Sequence, residues 1–394
     1  MPSATTGRTG GLPVGFEVPG QMDARGVCRQ VAEFSMGVVM SKLIPILFAV
    51  GTALAAGPAS TQVTVLNHAT VIDVTGRPAI QNATIVIDAG EIKDIGPTGS
   101  VAIPRGAEVV NLTGKTIMPG IINLHGHVGM VKGLNNDIKN FTRENIGAHL
   151  RTYSSYGVTT TSLGTDLDLM VAIRDEQRRG QLNGARIFTA LQGFTFLDGC
   201  PTHVPGVKGV AQEVGTAAEA RARVDRLAEK GVDIVKMWVD SHHGSIPKLP
   251  PPVYIAIIDQ VHKRGINAFA HVYELSDAKR LTQAGIDVLV HSVRDAAVDA
   301  ELIEALKRNN VTTVATLTHE QATFVYADPP AWLDDPFFMR GTTPEMIEAV
   351  KTTLRERQAG SPDAEINRKG FDIAMRNLKT LADAGVRIGF GTDT

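Results

Sequence analysis

The chain has 394 residues, a formal net charge of −2 at pH 7, and 43% hydrophobic and 20% charged residues. This composition is typical of globular proteins that bury a sizeable core in one large or two smaller domains. The near-neutral charge and the absence of a dense Lys/Arg run argue against nucleic-acid binding. No intrachain disulfide is expected, because Cys28 lies in a segment that the mature protein is expected to lack, which leaves only Cys200.

A short apolar segment near the amino terminus is typical of a secretory signal peptide. The run 43–56 follows Lys42 and contains the small-residue pattern Ala-Leu-Ala at 53–55. It is shorter than the roughly 20 residues that a membrane-spanning helix needs. An exported protein, periplasmic or extracellular, is therefore predicted, with no stable membrane insertion after cleavage.

A signal peptide has to lead the chain, which affects the interpretation of residues 1–39. We interpret them as an upstream segment outside the true reading frame, with translation starting at Met36 or Met40 and the signal peptide at 40–56. The alternative is an uncleaved membrane anchor with a disordered cytoplasmic tail.

Residues 61–116 have a short, β-like pattern. Apolar and polar residues alternate in 62–66, 83–87 and 91–95, with turn residues between these runs. We predict a small antiparallel sheet, the amino-terminal half of a β-sandwich domain, with no chemistry of its own.

From residue 117 to 394, apolar strand-like runs alternate with amphipathic helices, which predicts a (β/α)8 TIM-type barrel. The predicted strands end near His127, Leu163, Thr189, Lys236, His271, His291, Ala315 and Asp393. The predicted helices are Glu144–Tyr156, Leu169–Arg179, Ala217–Lys230, Pro252–Arg264, Asp277–Ala284, Ala300–Asn309 and Ile366–Ala384. The connections 190–215 and 316–343 exceed ordinary loop lengths and are candidates for substrate-binding loops.

His125 and His127 lie two residues apart at the end of the first barrel strand. Side chains two apart on a strand point to the same face, and the carboxyl ends of barrel strands form the active-site mouth. Two neutral imidazoles are good zinc ligands, although an isolated pair of this kind is weak evidence for a metal.

Lys236 interrupts the otherwise apolar run 234–239. A buried ammonium needs a partner or a lowered pKa. One solution is reaction of the neutral amine with CO2 to give a carbamate, a carboxylate-like group that can bridge two metal ions. The alternatives are an ion pair with a carboxylate such as Asp233, or a side chain that extends out of the strand end.

His271, His291 and Asp393 each follow an apolar strand in the same relative position. With His125, His127 and Lys236, they place six ligand-type side chains at the carboxyl ends of strands 1, 4, 5, 6 and 8, where they are expected to converge. Such a set predicts two divalent metal ions with a bridging hydroxide, and Asp393 as proton acceptor and donor.

The ordered set over roughly 61–394 resembles the amidohydrolase superfamily. It is similar to the branch with a carboxylated lysine on strand 4, which includes imidazolonepropionase-like and Xaa-Pro or Xaa-Lys/Arg dipeptidase-like proteins. The resemblance implies that His125, His127 and Asp393 hold one ion and that His271 and His291 hold the second, with zinc as the expected metal. It also implies that carbamylated Lys236 bridges the two ions.

In this family a helix follows strand 8, and the chain then returns to complete the small β-domain. Nothing follows Thr394 here, so we expect a carboxyl-terminally incomplete barrel. Relatives are frequently oligomers, which makes a homo-oligomer compatible with the resemblance.

Four further residues are weaker candidates for substrate binding. Arg294 could clamp a carboxylate, or form a surface salt bridge with Asp295 or Asp299. Tyr273 could donate to a scissile carbonyl. His242 and His203 lie on loops that could reach the substrate or only face solvent. The histidines interpreted as structural or surface residues are His68, His149, His262 and His319.

Two classes of function follow. The first is a metal-dependent hydrolase of an amide or peptide-like bond in a small molecule or short peptide: a dipeptide, an N-acyl amino acid or a cyclic amide. A mononuclear deaminase is its rival among enzymes, and Lys236 argues against it. The second class is a non-catalytic or truncated binding protein on the same barrel.

Overall fold

The computed structural model describes residues 62–393. The predicted signal peptide and the upstream segment lie outside these residues. Within 62–393, no helix combines the length and the apolar character that crossing a membrane requires.

The first part of the described chain is a five-stranded sheet. Its strands are β1 (Thr64–Val71), β2 (Ile80–Asp88), β3 (Glu91–Pro97), β4 (Glu108–Asn111) and β5 (Thr116–Ile117). β2 pairs antiparallel with both β1 and β3, whereas β4 and β5 pair parallel with β1. The sheet is therefore mixed, and the prediction of a wholly antiparallel sheet is wrong. Alternation of apolar residues shows which side chains are buried, but it does not fix the direction of the neighbouring strand.

The second part alternates strands and helices. The strands are β6 (Ile121–Gly126), β7 (Val131–Lys132), β8 (Asn135–Asn136), β9 (Val158–Leu163), β10 (Arg186–Thr189), β11 (Gly193–Thr195), β12 (Ala211–Glu213), β13 (Ile234–Val239), β14 (Asn267–Val272), β15 (Val288–Val290), β16 (Thr312–Ala315) and β17 (Arg387–Phe390). The helices are α1 (Arg143–Ser155), α2 (Leu169–Arg178), α3 (Ala217–Glu229), α4 (Pro251–Lys263), α5 (Leu275–Gln283), α6 (Ala300–Arg308), α7 (Leu317–Ala322), α8 (Pro336–Met339), α9 (Pro344–Ala349), α10 (Arg355–Ala359) and α11 (Ala364–Asp383).

Each of the eight predicted barrel strands has a counterpart among these: β6, β9, β10, β13, β14, β15, β16 and β17. They pair in parallel in two sheets, β10-β9-β6 and β13-β14-β15-β16-β17, and β11 and β12 extend the second sheet beyond β13. Backbone hydrogen bonds join the two sheets at both seams. Asp233 N donates to Thr189 O at 2.9 Å, and Asp393 N donates to His125 O at 2.9 Å.

Burial of the strands and capping of the helices explain why these segments form regular secondary structure. All six residues of β13 are buried, as expected for a parallel strand that is covered on both faces. Thr142 begins α1 by accepting a hydrogen bond from Asn145 N, and Thr216 does the same for α3 with Glu219 N. Because the strands pair in parallel, their carboxyl ends lie on the same side.

The two long connections carry regular structure of their own. Residues 190–215 contain β11 and β12, and 316–343 contain α7, α8 and short 3-10 turns. Both connections therefore contain regular secondary structure and are not simple loops.

Candidate metal centre

His125 and His127, at the end of the first barrel strand, converge on Asp393, which follows the last barrel strand. His125 Nε2 lies 2.8 Å from Asp393 Oδ1, and His127 Nε2 lies 3.0 Å from the same oxygen. His125 belongs to β6, and His127 comes one residue after that strand ends. The convergence agrees with the prediction that two side chains spaced by two residues share one face.

The other predicted ligands surround the same point. The side-chain donor atoms of His125, His291 and Asp393 all lie within 4.8 Å of one another. The ring of His271 packs 4.3 Å from that of His291, centroid to centroid. Lys236 Nζ lies 3.2 Å from His125 Nε2. The structure thus brings all six predicted side chains together.

Lys236 is completely buried in β13. The partner suggested as an alternative, Asp233, instead accepts a hydrogen bond from Arg174 Nη1 at 2.7 Å. Lys236 Nζ lies 5.2 Å from the ring centroid of Trp238. Burial lowers the pKa of Lys236 to about 7, so a large part of this amine is uncharged near neutral pH.

The buried imidazoles are neutral as well. Burial, followed by the charge of Lys236, lowers the pKa of His125 to about 3. Burial lowers the pKa of His271 to about 4 and that of His291 well below its ordinary value. A neutral imidazole keeps a lone pair on one ring nitrogen, which is the form that binds metals.

The set of donors fits divalent metal ions. Within residues 62–393, the basic side chains within 4.0 Å of the Asp393 carboxylate are all histidines, and no Lys or Arg ion pair reaches it. Imidazoles, one carboxylate and one amine therefore face each other at close range. Nitrogen and oxygen donors in this combination suit zinc and similar ions.

His271 and His291 each have one ring nitrogen within hydrogen-bond distance of a neighbouring side chain. Asp240 Oδ2 accepts from His271 Nε2 at 2.8 Å, and His291 Nδ1 lies 2.7 Å from Thr316 Oγ1. Sequence analysis missed Asp240, although it follows an apolar strand just as His271 and Asp393 do. Its setting in the polar run 240–244 resembled an ordinary loop.

His319 is also part of the centre. Its Nδ1 lies 3.2 Å from Asp393 Oδ2, and its ring is 6.1 Å from that of His291. The side chain is 43% exposed, in agreement with a surface position, but its contact with Asp393 was not predicted. α7 begins directly after the mouth end of β16, so its first turn faces the strand ends.

Arg294 has a different partner from those expected. Its guanidinium pairs with Glu320 and lies 4.8 Å from the ring centroid of Tyr273. Asp295 instead accepts from Leu275 N, and Asp299 begins α6 as its N-cap. The Nε of Arg294 is buried without a hydrogen-bond partner, so one donor is left for a ligand.

His203 and His242 lie against each other, with ring centroids 4.7 Å apart. His242 lines the mouth, while Nδ1 of His203 is buried without a hydrogen-bond partner. Burial raises the pKa of the nearby Cys200 thiol to about 12, which keeps it protonated and unreactive.

Two cavities meet at the centre and share His242, His271, His291 and His319. One, of about 210 Å³, is lined by the apolar Ile366 and Phe371 as well as by Asp240, Arg294 and Glu320, and we call it the polar compartment after these three charged residues. The other, of about 320 Å³, we call the apolar compartment. Its lining includes Met130, Val131, Val204, Val207, Val210 and Trp238.

No family model matches the chain. A curated 5-methylthioadenosine/S-adenosylhomocysteine deaminase of Symbiobacterium thermophilum is 31% identical over 78 residues, which cover 19% of this chain and 18% of the deaminase. An uncharacterized protein of Mycobacterium tuberculosis is 28% identical over 195 residues, 47% of each chain. The chain thus spans less than half the length of these curated relatives.

Solved structures match over most of the described chain. A Xaa-Pro dipeptidase with bound methionine in its active site has a TM-score of 0.62 at 22% identity, covering 84% of this chain and 80% of that one. Ochratoxinase of A. niger has a TM-score of 0.64 at 17% identity (84% and 76% covered). Molinate hydrolase has a TM-score of 0.60 at 19% identity (85% and 73% covered).

The solved structures bear on the fold of this chain. The likeness confirms the predicted amidohydrolase-superfamily fold, a TIM-barrel-type arrangement of strands and helices. Two of the named structures, the Xaa-Pro dipeptidase and molinate hydrolase, are hydrolases by name.

Proposed function

We propose that this protein is a metal-dependent hydrolase of amide-type C–N bonds. The observation that carries the proposal is the convergence of His125, His127, His291 and Asp393 beside the buried amine of Lys236. In the proposed site His125, His127 and Asp393 hold one divalent ion, while His271 and His291 hold the second. Zinc is the proposed metal, since it accepts this mixture of nitrogen and oxygen donors.

Lys236 is proposed to bridge the two ions as a carbamate formed with CO2. Only an uncharged amine can attack CO2, and burial provides that form near neutral pH. The amine also has no carboxylate hydrogen-bonded to it within the described residues, so no ion pair has to be broken.

Divalent ions in such a site polarise a carbonyl and lower the pKa of water. The protein's own contribution is to hold and move a proton. Asp393 is proposed to accept the proton from water at its carboxylate and pass it to the departing amine. His319, 3.2 Å from Asp393 Oδ2, holds that oxygen in place at the mouth.

The polar compartment is proposed to bind a substrate carboxylate. Arg294 supports this proposal, because it lines the compartment and keeps an Nε–H without a hydrogen-bond partner while its Nη1 pairs with Glu320. Tyr273, under the guanidinium, is proposed to donate to the scissile carbonyl or its oxyanion. His242 and His203 border the mouth as further substrate contacts.

We also propose that the enzyme is exported and acts on small molecules or short peptides, with a homo-oligomer as the assembly. The mononuclear deaminase remains the rival, and the 78-residue likeness to a deaminase favours it. The two differ in metal content, because only the hydrolase mechanism uses Lys236 as a ligand.

The first test is elemental mass spectrometry of the full chain, combined with hydrolysis assays on N-acyl amino acids, dipeptides and cyclic amides. About two ions per chain and release of the free amine are expected for a two-metal hydrolase. One ion and release of ammonia would indicate the deaminase. A folded chain without bound metal would leave only the non-catalytic binding protein.

A further inference from the structure

The seam between β6 and β17 divides one proposed set of metal ligands. His125 lies in β6 and His127 just after it, whereas Asp393 follows β17. The two strands belong to different sheets, and no strand ladder joins them within the described residues. The distance between the two histidines and the carboxylate therefore has to be fixed by contacts other than sheet pairing.

The side chain of Asn123 lies at this seam and is completely buried. Its Oδ1 accepts from the backbone N–H groups of His125 and Thr392, at 3.2 Å in each case. Its Nδ2 donates to Thr392 Oγ1 at 2.8 Å. One amide group thus holds both the residue that bears a proposed ligand in β6 and the residue that immediately precedes Asp393.

Asp393 has a backbone conformation that needs such support. Its φ is +59°, in the left-handed region that residues other than glycine rarely adopt. The N–H groups of Thr392 and Asp393 both donate to the His125 carbonyl, at 3.0 and 2.9 Å. The N–H of Thr392 is shared between that carbonyl and Asn123 Oδ1. A conformation of this kind persists only where the surrounding contacts determine it.

The space around the Asn123 amide is filled. A Cβ atom added at Gly126 would lie 2.8 Å from Asn123 Nδ2 and 2.6 Å from the Tyr153 hydroxyl. The same hydroxyl lies 3.4 Å from Thr392 Oγ1. The amide is therefore confined to one position by close packing as well as by its hydrogen bonds.

We infer that Asn123 is a positioning residue of the proposed metal centre, and that its amide sets the separation between the imidazoles of β6 and the carboxylate of Asp393. This inference rests on the proposed function and concerns the residue that supports the ligands. Side chains that bind a metal have to be held to within about 0.5 Å of their productive positions. Loss of the amide should therefore weaken metal binding even where the chain stays folded.

The test replaces the amide and follows two measurements on the full chain. Asn123→Leu keeps a branched side chain and removes both polar atoms. We expect zinc affinity, measured by competition with a chromophoric chelator, to fall about 10- to 100-fold. Amide hydrogen exchange of the segment 387–393 in the metal-free chain should become about tenfold faster or more, because the last strand loses its attachment to β6.

Asn67→Leu is the matched control. Asn67 Oδ1 also accepts two hydrogen bonds, from Thr84 Oγ1 at 2.6 Å and from Thr98 Oγ1 at 3.1 Å, but within the small sheet. This variant should leave zinc affinity and the exchange of 387–393 unchanged. Equal effects of the two leucine variants would show a general loss of stability and would contradict the inference.

Asn123→Asp separates positioning from packing. Its carboxylate can accept from the same two backbone N–H groups, and the Thr392 hydroxyl can donate to it. We expect this variant to recover most of the exchange protection that the leucine variant loses. The absorption spectrum of the Co²⁺-loaded chain, which reports ligand geometry, should match the wild type for Asn123→Asp and differ for Asn123→Leu. Without this recovery, Asn123 would have only a packing role.

A milder variant covers the case in which Asn123→Leu does not fold. Thr392→Val removes only the hydroxyl that accepts from the amide, and it should lower zinc affinity about threefold and speed exchange of 387–393. Wild-type affinity and exchange in this variant would then refute the role of Asn123. Absence of zinc binding by the wild-type chain is a different result, since it would overturn the proposed function and this inference with it.

Discussion

Asp240 holds His271 by one ring nitrogen. The carboxylate Oδ2 of Asp240 accepts from His271 Nε2 at 2.8 Å, and its Oδ1 accepts from the backbone N–H of His242 at 2.8 Å. The carboxylate is thus fixed at both oxygens. Because the proton of the neutral imidazole stays on Nε2, the lone pair of His271 is on Nδ1, and Asp240 determines which nitrogen is available to a metal.

Changing Asp240 to Asn should weaken metal binding. The amide can present its NH2 group to His271 Nε2 and so favour the wrong tautomer. We expect a loss of metal affinity of about 10- to 100-fold, measured by competition with a chromophoric chelator. Asp287→Asn is the matched control, since Asp287 pairs with His262 at 2.9 Å outside the centre. Equal losses in the two variants would contradict a specific role for Asp240.

Thr316 should orient His291 through a chain of hydrogen bonds. Its hydroxyl donates toward Glu320 Oε1 at 3.3 Å, and Glu320 is held by Arg294. The hydroxyl oxygen therefore accepts from His291 Nδ1, which leaves Nε2 as the ligating atom.

Thr316→Val keeps the shape of the side chain and removes the hydroxyl, so metal affinity should fall about tenfold or more. Thr316→Ser restores the hydroxyl and should recover most of that loss. Thr282→Val, which removes another buried hydroxyl on α5, controls for a general effect on folding. Failure of the serine variant to recover affinity would argue for a packing role of Thr316.

Replacing Lys236 by Met should remove one metal ion. Methionine has a similar length and is apolar, so it suits the buried position better than an amine, but it cannot form a carbamate. Elemental analysis should show the content falling from about two ions to about one. Lys248→Met, at a lysine paired with Glu274 and Asp277, should retain both ions. Retention of two ions in the Lys236 variant would exclude a bridging carbamate.

Asp166 should make the fold less stable as the pH rises. It is 1% exposed, Oδ2 accepts from Thr189 Oγ1 at 2.7 Å, and Oδ1 has no hydrogen-bond partner. Burial raises the pKa of its carboxyl from 3.8 to about 7. Between pH 3.8 and about pH 7, the Asp166 carboxyl keeps its proton in the folded state and has released it in the unfolded state. Stability contributed by this group is therefore full below pH 3.8 and declines as the pH rises toward 7.

Asp166→Asn should remove this dependence. At pH 8 the variant should be more stable than the wild type, by up to about 4 kcal/mol, and the difference should shrink toward pH 4. Denaturant unfolding at both pH values measures the change. Asp328→Asn, at an exposed position, should show no such trend. A stability difference independent of pH would contradict the raised pKa.

The sequence predicted those features that depend on local pattern. The eight barrel strands and their helices follow from the alternation of apolar runs, and the ligand histidines were visible because each follows such a run. The pairing of β4 with β1 was not predictable, because strand direction depends on how the intervening chain crosses the sheet.

Contacts between the connections that follow successive strands could not be predicted from local sequence pattern either. Arg294 pairs with Glu320, 26 residues away, rather than with the nearby carboxylates that the sequence offered. Asp299 is used by α6 as its N-cap, which a periodicity analysis does not weigh against an ion pair. His319 is placed by the start of α7 after β16, an element expected to be a loop.

The hydrogen bonds from Thr392 N and Asp393 N to the His125 carbonyl have a consequence for folding. The neighbouring pair Asn123 and Thr392 is 269 residues apart along the chain, so these contacts close a very long loop. Such contacts form late and slowly, after the more local βα pairings. Intermediates that lack the last strand would hold the histidines without their carboxylate. For the proposed metal centre, ion binding would then report on completion of folding, because the carboxylate joins the histidines only when the last strand is in place.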